Sequence, residues 1–266
     1  MPFLVRPAER QVEMLAGGVR REWLVAPDRL PDGRLSVAVV EIPEGASLDL
    51  DAPVDGLTWF QPLSGSLDVD DVETGTEYVV MMSHGRGARL IAREGCTVLV
   101  VEVPHAHDAT GEPDVRRVDW STEPVLLSEH DSRRRIYLAS TGLWGTEAVK
   151  GEMIIYPPGA VGAPHHHEGA EHFQFVVSGA GTAILGDERV PLTDGDLLYN
   201  LENEVHSFEN LTDADMTFVE FFVPGKSVTV WAPGASACAW NPLETDVMGR
   251  PAARRLEAHI HGQGNV

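Results

Sequence analysis

The stretch that decides the reading runs Pro164-His165-His166-His167-Glu168-Gly169-Ala170-Glu171-His172, and a further histidine, His206, belongs with it. In an extended chain the side chains alternate between two faces, so His165 and His167 point one way and His166 the other. If His172 opens the next strand, then His172, Gln174 and Val176 share its inner face, while Phe173, Phe175 and Val177 turn to the opposite layer. The turn Gly195-Asp196 starts a strand that leads to a second turn, after which His206 returns to the same cavity. Four neutral imidazoles converging from two hairpins suit Zn, Cu, Fe or Ni and tolerate Mn. His166 and Glu168 read as loop residues.

Working outward, the chain consists of short runs of Val, Ile, Leu and Phe separated by Gly- and Asp-rich turns. Glycine (26) and proline (18) are frequent, and the spacing is that of an antiparallel sandwich or barrel. Residues 1–34 read as an entry arm, closed by the turn signal Pro31-Asp32-Gly33. Strands are predicted at 35–42, 57–63, 66–69, 77–82, 89–92 and 97–103. Residues 105–135, polar and punctuated through Asp108 to Pro113, read as a connection. Within it Arg133-Arg134-Arg135 is expected to be an ion-pairing edge. A second strand series is predicted at 136–138, 152–156, 172–177, 182–185, 196–200 and 217–223. Residues 226–266 read as an extension whose His259 and His261, next to Gly262-Gln263-Gly264, are expected in a solvated tail.

The two series repeat each other. Pro43 and Gly45 match Pro157 and Gly159, and Ser64-Gly65 matches Ser178-Gly179, all at an offset of 114; Val103-Pro104 matches Val223-Pro224 at an offset of 120. About six extra residues therefore lie in the second copy, in the region that includes His206. At the first offset His165, His167 and His172 fall on Asp51, Pro53 and Thr58. A Pro–Thr pair cannot replace two imidazoles, so the first copy, 35–104, is expected to be a structural barrel without metal ligands, and the second, 136–225, to be the equipped one.

These residues resemble the cupin family. Its first motif is a Gly, five residues, His-x-His, three or four residues, Glu, six residues and Gly. Gly159, His165, His167, position 172 and Gly179 meet that spacing, with His172 where the family usually has Glu. Its second motif is matched in spacing by Gly195, Leu201, Asn203, His206 and Asn210, with Leu and Asn in place of Pro and Gly. Asn is an understandable substitute there because it enters left-handed backbone conformations more readily than most residues. The resemblance implies an all-β fold of two tandem cupin (jelly-roll β-barrel) domains. It also implies one divalent transition metal held by His165, His167, His172 and His206. Glu171 lies within the family's permitted gap too, but strand alternation turns it outward. Gln174, on the inner face, is expected to orient substrate or a bound water as a catalytic residue.

An all-histidine set adds no ligand charge, so the ion keeps its full positive charge, which suits polarising an oxygen-rich substrate. The expected function is that of a metal-dependent enzyme, with Mn or Fe favoured over Zn, Ni or Cu, acting on a small polar metabolite. Dioxygenase, isomerase, cyclase and hydrolase chemistry all remain open. The layout is similar to ureidoglycine aminohydrolase, which has a glutamate and a glutamine where His165 and His206 stand. The alternative is a metal-stabilised metabolite-binding module without turnover.

With 20 basic against 41 acidic residues the net charge is −21, a field that repels nucleic acid and anionic membranes. Cys96 and Cys238 form no close pair in sequence, which gives no disulfide framework. Without a secretory h-region or a run of about 18 apolar residues, a cytoplasmic protein is expected, and a homodimer through barrel edges.

Overall fold

The computed structural model describes residues 2–30, 34–106 and 114–261. The predicted turn at Pro31-Asp32-Gly33, the segment Asp108 to Pro113 and Gly262-Gln263-Gly264 lie outside the described residues. The chain is all-β, with the single short α-helix Thr141–Trp144 among the described residues. No described helix is long and apolar enough to cross a membrane.

Two compact units form: residues 8–120, and residues 1–7 with 121–266. Each consists of a larger and a smaller antiparallel sheet. In the first unit a seven-stranded sheet centres on Leu57–Ser64, Cys96–Val103 and Ser36–Ile42, and Ser47–Asp51 joins a four-stranded sheet. In the second unit a nine-stranded sheet centres on Glu171–Ser178, Met216–Val223 and Lys150–Tyr156. Its five-stranded companion holds His165–Glu168 and His206–Glu209.

The internal repeat is visible in this topology. Leu57–Ser64 and Glu171–Ser178 have the same length and lie 114 residues apart, and Cys96–Val103 and Met216–Val223 lie 120 apart. The paired glycines hold matching left-handed turns, with φ of 71° at Gly65 and 82° at Gly179, a region that favours glycine over residues with a Cβ.

In the first unit the space between the sheets is filled with apolar side chains, among them Leu50, Ala52, Phe60, Met82 and Leu90. Thr58 hydrogen-bonds the Asp51 carbonyl at 3.2 Å. In the second unit the apolar core gathers Tyr156, Val176, Ala183, Phe208 and Phe218 towards one part of the barrel. The strand Glu171–Ser178 is buried along both faces for most of its length. Phe173 stacks on Phe221 with ring centroids 5.8 Å apart, which places the outward aromatics in a packed layer. Each such fully buried ring contributes about 2–3 kcal/mol of transfer free energy, enough to hold the polar inner face of the same strand in place.

Three expected loop segments carry strands. Within 1–34, Phe3–Val5 pairs with Leu197–Asn200 of the second unit, and Gln11–Met14 and Arg20–Val25 extend the sheet of the first. Within 105–135, Val115–Asp119 pairs with Tyr78–Ser83, and Leu126–Ser128 with Arg134–Ala139. After residue 225, Val228–Trp231 pairs with His165–Glu168, and His259–Ile260 pairs with Ala239–Pro242. These strands are short and of mixed polarity, so tertiary pairing and not local pattern forms them.

Candidate metal centre

Cross-strand register brings the histidines together. His165 lies directly opposite His206 in the smaller sheet. His167 follows two residues later on the same face, and His172 is the second residue of Glu171–Ser178 in the larger sheet. The Asn203 amide donates to the His167 carbonyl at 2.9 Å, with Asn203 at φ 67°. Asn therefore does take the left-handed position where the motif usually has Gly. Asn210 ties the far end of the loop by donating to the carbonyls of Tyr156 and Ala214, each at 2.7 Å.

The rings lie 4.7 to 5.4 Å apart between centroids across the pairs His165–His167, His165–His206, His167–His172, His167–His206 and His172–His206. His167, His172 and His206 are buried and His165 is half-buried. His166 lies 3.7 Å from Glu168, apart from the cluster. Backbone partners orient two of the rings. A carbonyl can only accept, so Nδ1 of His165, 2.8 Å from the Ala163 oxygen, carries the proton, and so does Nδ1 of His206, 2.9 Å from that of Glu204. Their Nε2 lone pairs are left facing inward. Nε2 of His172 lies 3.2 Å from Nε2 of His206, and Nε2 of His167 is buried with no hydrogen-bond partner among the described residues.

Burial keeps the cluster neutral. It lowers His206 to about 3 and His165 to about 4, and sets His167 and His172 well below the ordinary range, the neighbouring imidazoles adding to the effect. Neutral, inward-facing imidazole nitrogens in a buried pocket are what a divalent cation requires of its ligands. The residues present therefore fit a metal ion.

Two overlapping sets could hold one: His165, His167 and His206, or His172, His206 and Glu220. Glu220 was missed by the sequence reading. It lies in the middle of the apolar strand Met216–Val223, and a lone carboxylate in such a run was the available signal. Its Oε1 is 3.7 Å from Nε2 of His172. Burial, with Glu152 nearby, pushes its carboxyl up to about 8. Gln174 is fully buried with both ends of its amide engaged: Nε2 donates to Glu220, and Oε1 accepts from Asn200 at 2.8 Å. The side chain expected to orient substrate thus holds a carboxylate. Glu171 faces away from the imidazoles and accepts from the Tyr199 hydroxyl at 2.6 Å.

A cavity opens beside the cluster, lined by His165, His206, Glu220, Arg133, Arg135 and His261 among others, with Tyr156 and Phe208 in its wall. The three arginines divide by alternation. Arg134 pairs outward with Asp215 at 2.7 Å, whereas Arg133 is buried against Asp131 at 2.7 Å. Arg135, with no exposed surface, pairs with Glu152 at 2.9 Å, and Lys150 reaches the same carboxylate at 2.8 Å. Burial works against charge on Glu152, but Arg135 and Lys150 hold its carboxyl below the ordinary range. The expected solvated tail is instead docked. His261 is buried, with Nδ1 2.6 Å from Arg135, and Nε2 of His259 lies 2.6 Å from the Tyr137 hydroxyl. Gly262 to Gly264 gave that segment a tail's composition, and its partners lie more than a hundred residues earlier in the chain.

Comparisons with known proteins agree with this geometry. Residues 152–222 match the model of the cupin domain family. Among solved structures, a tryptophan-to-tyrosine variant of oxalate decarboxylase from Bacillus subtilis superposes with a TM-score of 0.68 at 16% identity, covering 86% of this chain and 78% of that one. A serine-to-alanine variant of the same enzyme gives 0.67 at 15% identity over the same shares. A further structure of that decarboxylase, at 0.68 and 15%, concerns its Mn(II) centres. No curated protein matches the sequence. The match over residues 152–222 identifies a cupin domain in the second unit, and the likeness to these structures shows the same fold over most of the chain.

Proposed function

We propose that the second unit holds one divalent metal ion and that the chain is a metal-dependent cupin enzyme acting on a small, polar, oxygen-rich metabolite. The convergence of inward-facing imidazole nitrogens carries this reading, above all the 3.2 Å approach of His172 to His206 and Nε2 of His167, which has no hydrogen-bond partner among the described residues. His165, His167, His172 and His206 are the proposed ligands, with Glu220 able to join from the neighbouring strand. Mn is favoured among the candidate ions because structural neighbours have Mn(II) centres, with Fe next. When bound, the ion supplies Lewis acidity towards a ligand oxygen. Gln174 acts as a positioning residue that fixes Glu220, and Asn200 fixes Gln174 in turn. Tyr156 and Phe208 form the aromatic part of the cavity wall.

Elemental analysis of protein purified without an affinity metal tests the centre. One equivalent per chain is expected in the wild type. His167→Ala should lose most of it while its circular dichroism stays that of a folded β protein; undiminished metal in that variant would sink the assignment. An oxygen-electrode assay on the loaded protein then separates oxidation by dioxygen from hydrolysis of the kind carried out by ureidoglycine aminohydrolase.

A further inference from the structure

We propose that Arg135 and His261 form an oxyanion subsite beside the histidine cluster, which takes a carboxylate group of the small-molecule ligand. This deepens the metal-centre reading and rests on it. Three observations carry it.

The first is Arg135. Its guanidinium has no solvent exposure and lines the cavity that His165 and His206 also line. Glu152 pairs with Nε and His261 is bonded to Nη2, while the indole of Trp240 covers the flat face at 4.1 Å. The buried Nη1 has no hydrogen-bond partner among the described residues. A buried cationic donor left in that state is costly unless something accepts from it. A guanidinium edge of this kind matches the fork of a carboxylate.

The second is the tautomer of His261. A guanidinium can only donate, so Nδ1 of His261, 2.6 Å from Nη2, is the acceptor and the proton resides on Nε2. The ring lies 5.3 Å from that of His167 and 5.6 Å from that of His165, on the cavity wall. Its Nε2–H, in a ring that lines the cavity, is a second donor for the same ligand. The strand pairing of His259–Ile260 with Ala239–Pro242 holds the ring there, as does the bond from the His261 amide to the Cys238 carbonyl at 3.3 Å.

The third is charge. The buried Arg133 and Arg135 and the half-buried Lys150 stand against Asp131, Glu152 and Glu220, which balance them when all are ionised. The imidazoles contribute none, so a divalent ion in the cluster leaves positive charge that an anionic ligand neutralises. That holds in either protonation state of Glu220. The protein's net charge of −21 makes such a focus of positive charge a local feature and not a general one.

The test uses the full chain loaded with Co(II), whose visible spectrum reports on ligands. Acetate is the probe and acetamide its uncharged analogue, both titrated by calorimetry. Acetate should bind and shift the spectrum, and acetamide should bind at least about tenfold more weakly. His261→Phe should weaken acetate by about tenfold at unchanged cobalt content, and His261→Gln, which keeps a neutral donor, should recover most of the loss. If the phenylalanine variant does not fold, His261→Asn, too short to reach, replaces it. Equal affinities for acetate and acetamide, or undiminished acetate binding by the cobalt-loaded variant, overturn the subsite while leaving the metal centre standing. Loss of cobalt from the His261 variants overturns it by making His261 a ligand. A wild-type chain that takes up no cobalt overturns the metal centre and the subsite together.

Discussion

Removing one buried base should change how stability responds to acid. His206 has no exposed surface, and burial, with His165 beside it, lowers its pKa from 6.5 to about 3. Unfolding returns the ring to its ordinary value. Between those two values the unfolded chain binds a proton that the folded chain does not, so stability falls as pH falls. The slope for one such residue is about 1.4 kcal/mol per pH unit. From pH 6 to pH 4 the contribution of His206 reaches about 3 kcal/mol, a sizeable part of a total stability of about 5–15 kcal/mol. The perturbation is His206→Gln, a neutral residue of similar size that does not titrate. Urea unfolding of metal-free wild type and variant, followed by circular dichroism at half-unit steps of pH, gives the two slopes. The wild type should lose stability more steeply by about one proton's worth over this window, and the curves should run parallel above about pH 7.5. The variant's own stability at neutral pH does not matter, because the slope counts protons and not contacts. Equal slopes between pH 6 and 4 would refute the claim that His206 is held as a buried neutral base.

Two further outcomes follow from the packing. Glu152→Ala strands Arg135 and Lys150 without their shared carboxylate in a buried site, and should cost about 3–5 kcal/mol by denaturant titration, while Glu44→Ala on the exposed turn of the first unit should change little. Gly179→Ala puts a Cβ on the Asp215 carbonyl oxygen at φ 82°, and should cost at least about 2 kcal/mol in the same assay; a neutral result would mean that the turn is not built as described.

Much of the site was legible because motif spacing fixes register. Once His165 and His167 share a face and His172 starts the next strand, alternation alone predicts the ring cluster. Glycines at 159 and 179 and the left-handed Asn203 mark the turns that deliver it. What was not legible depends on pairing between distant segments. Glu220 meets Gln174 only because Met216–Val223 lies beside Glu171–Ser178. Arg133 and Arg135 could have been separated from Arg134 by alternation, yet their burial needs Asp131 and Glu152 to offset it. His261 offered no local cue, because its partner Arg135 is reached only when the last described strand joins the far edge of the large sheet.

That sheet is bordered at one edge by Phe3–Val5 and at the other by His259–Ile260, so the first unit is an insertion within the second. The strand Leu197–Asn200, which carries Asn200 behind Gln174, is covered along its outer side by Phe3–Val5, with Phe3 stacked on Tyr199 at 5.0 Å. Cutting the chain near Ser121 does not release the second unit intact. It bares a row of backbone donors and acceptors on that strand, ready to pair with another copy. A dissection that keeps the unit whole must carry residues 2–7 with it, joined across the gap where the inserted unit was.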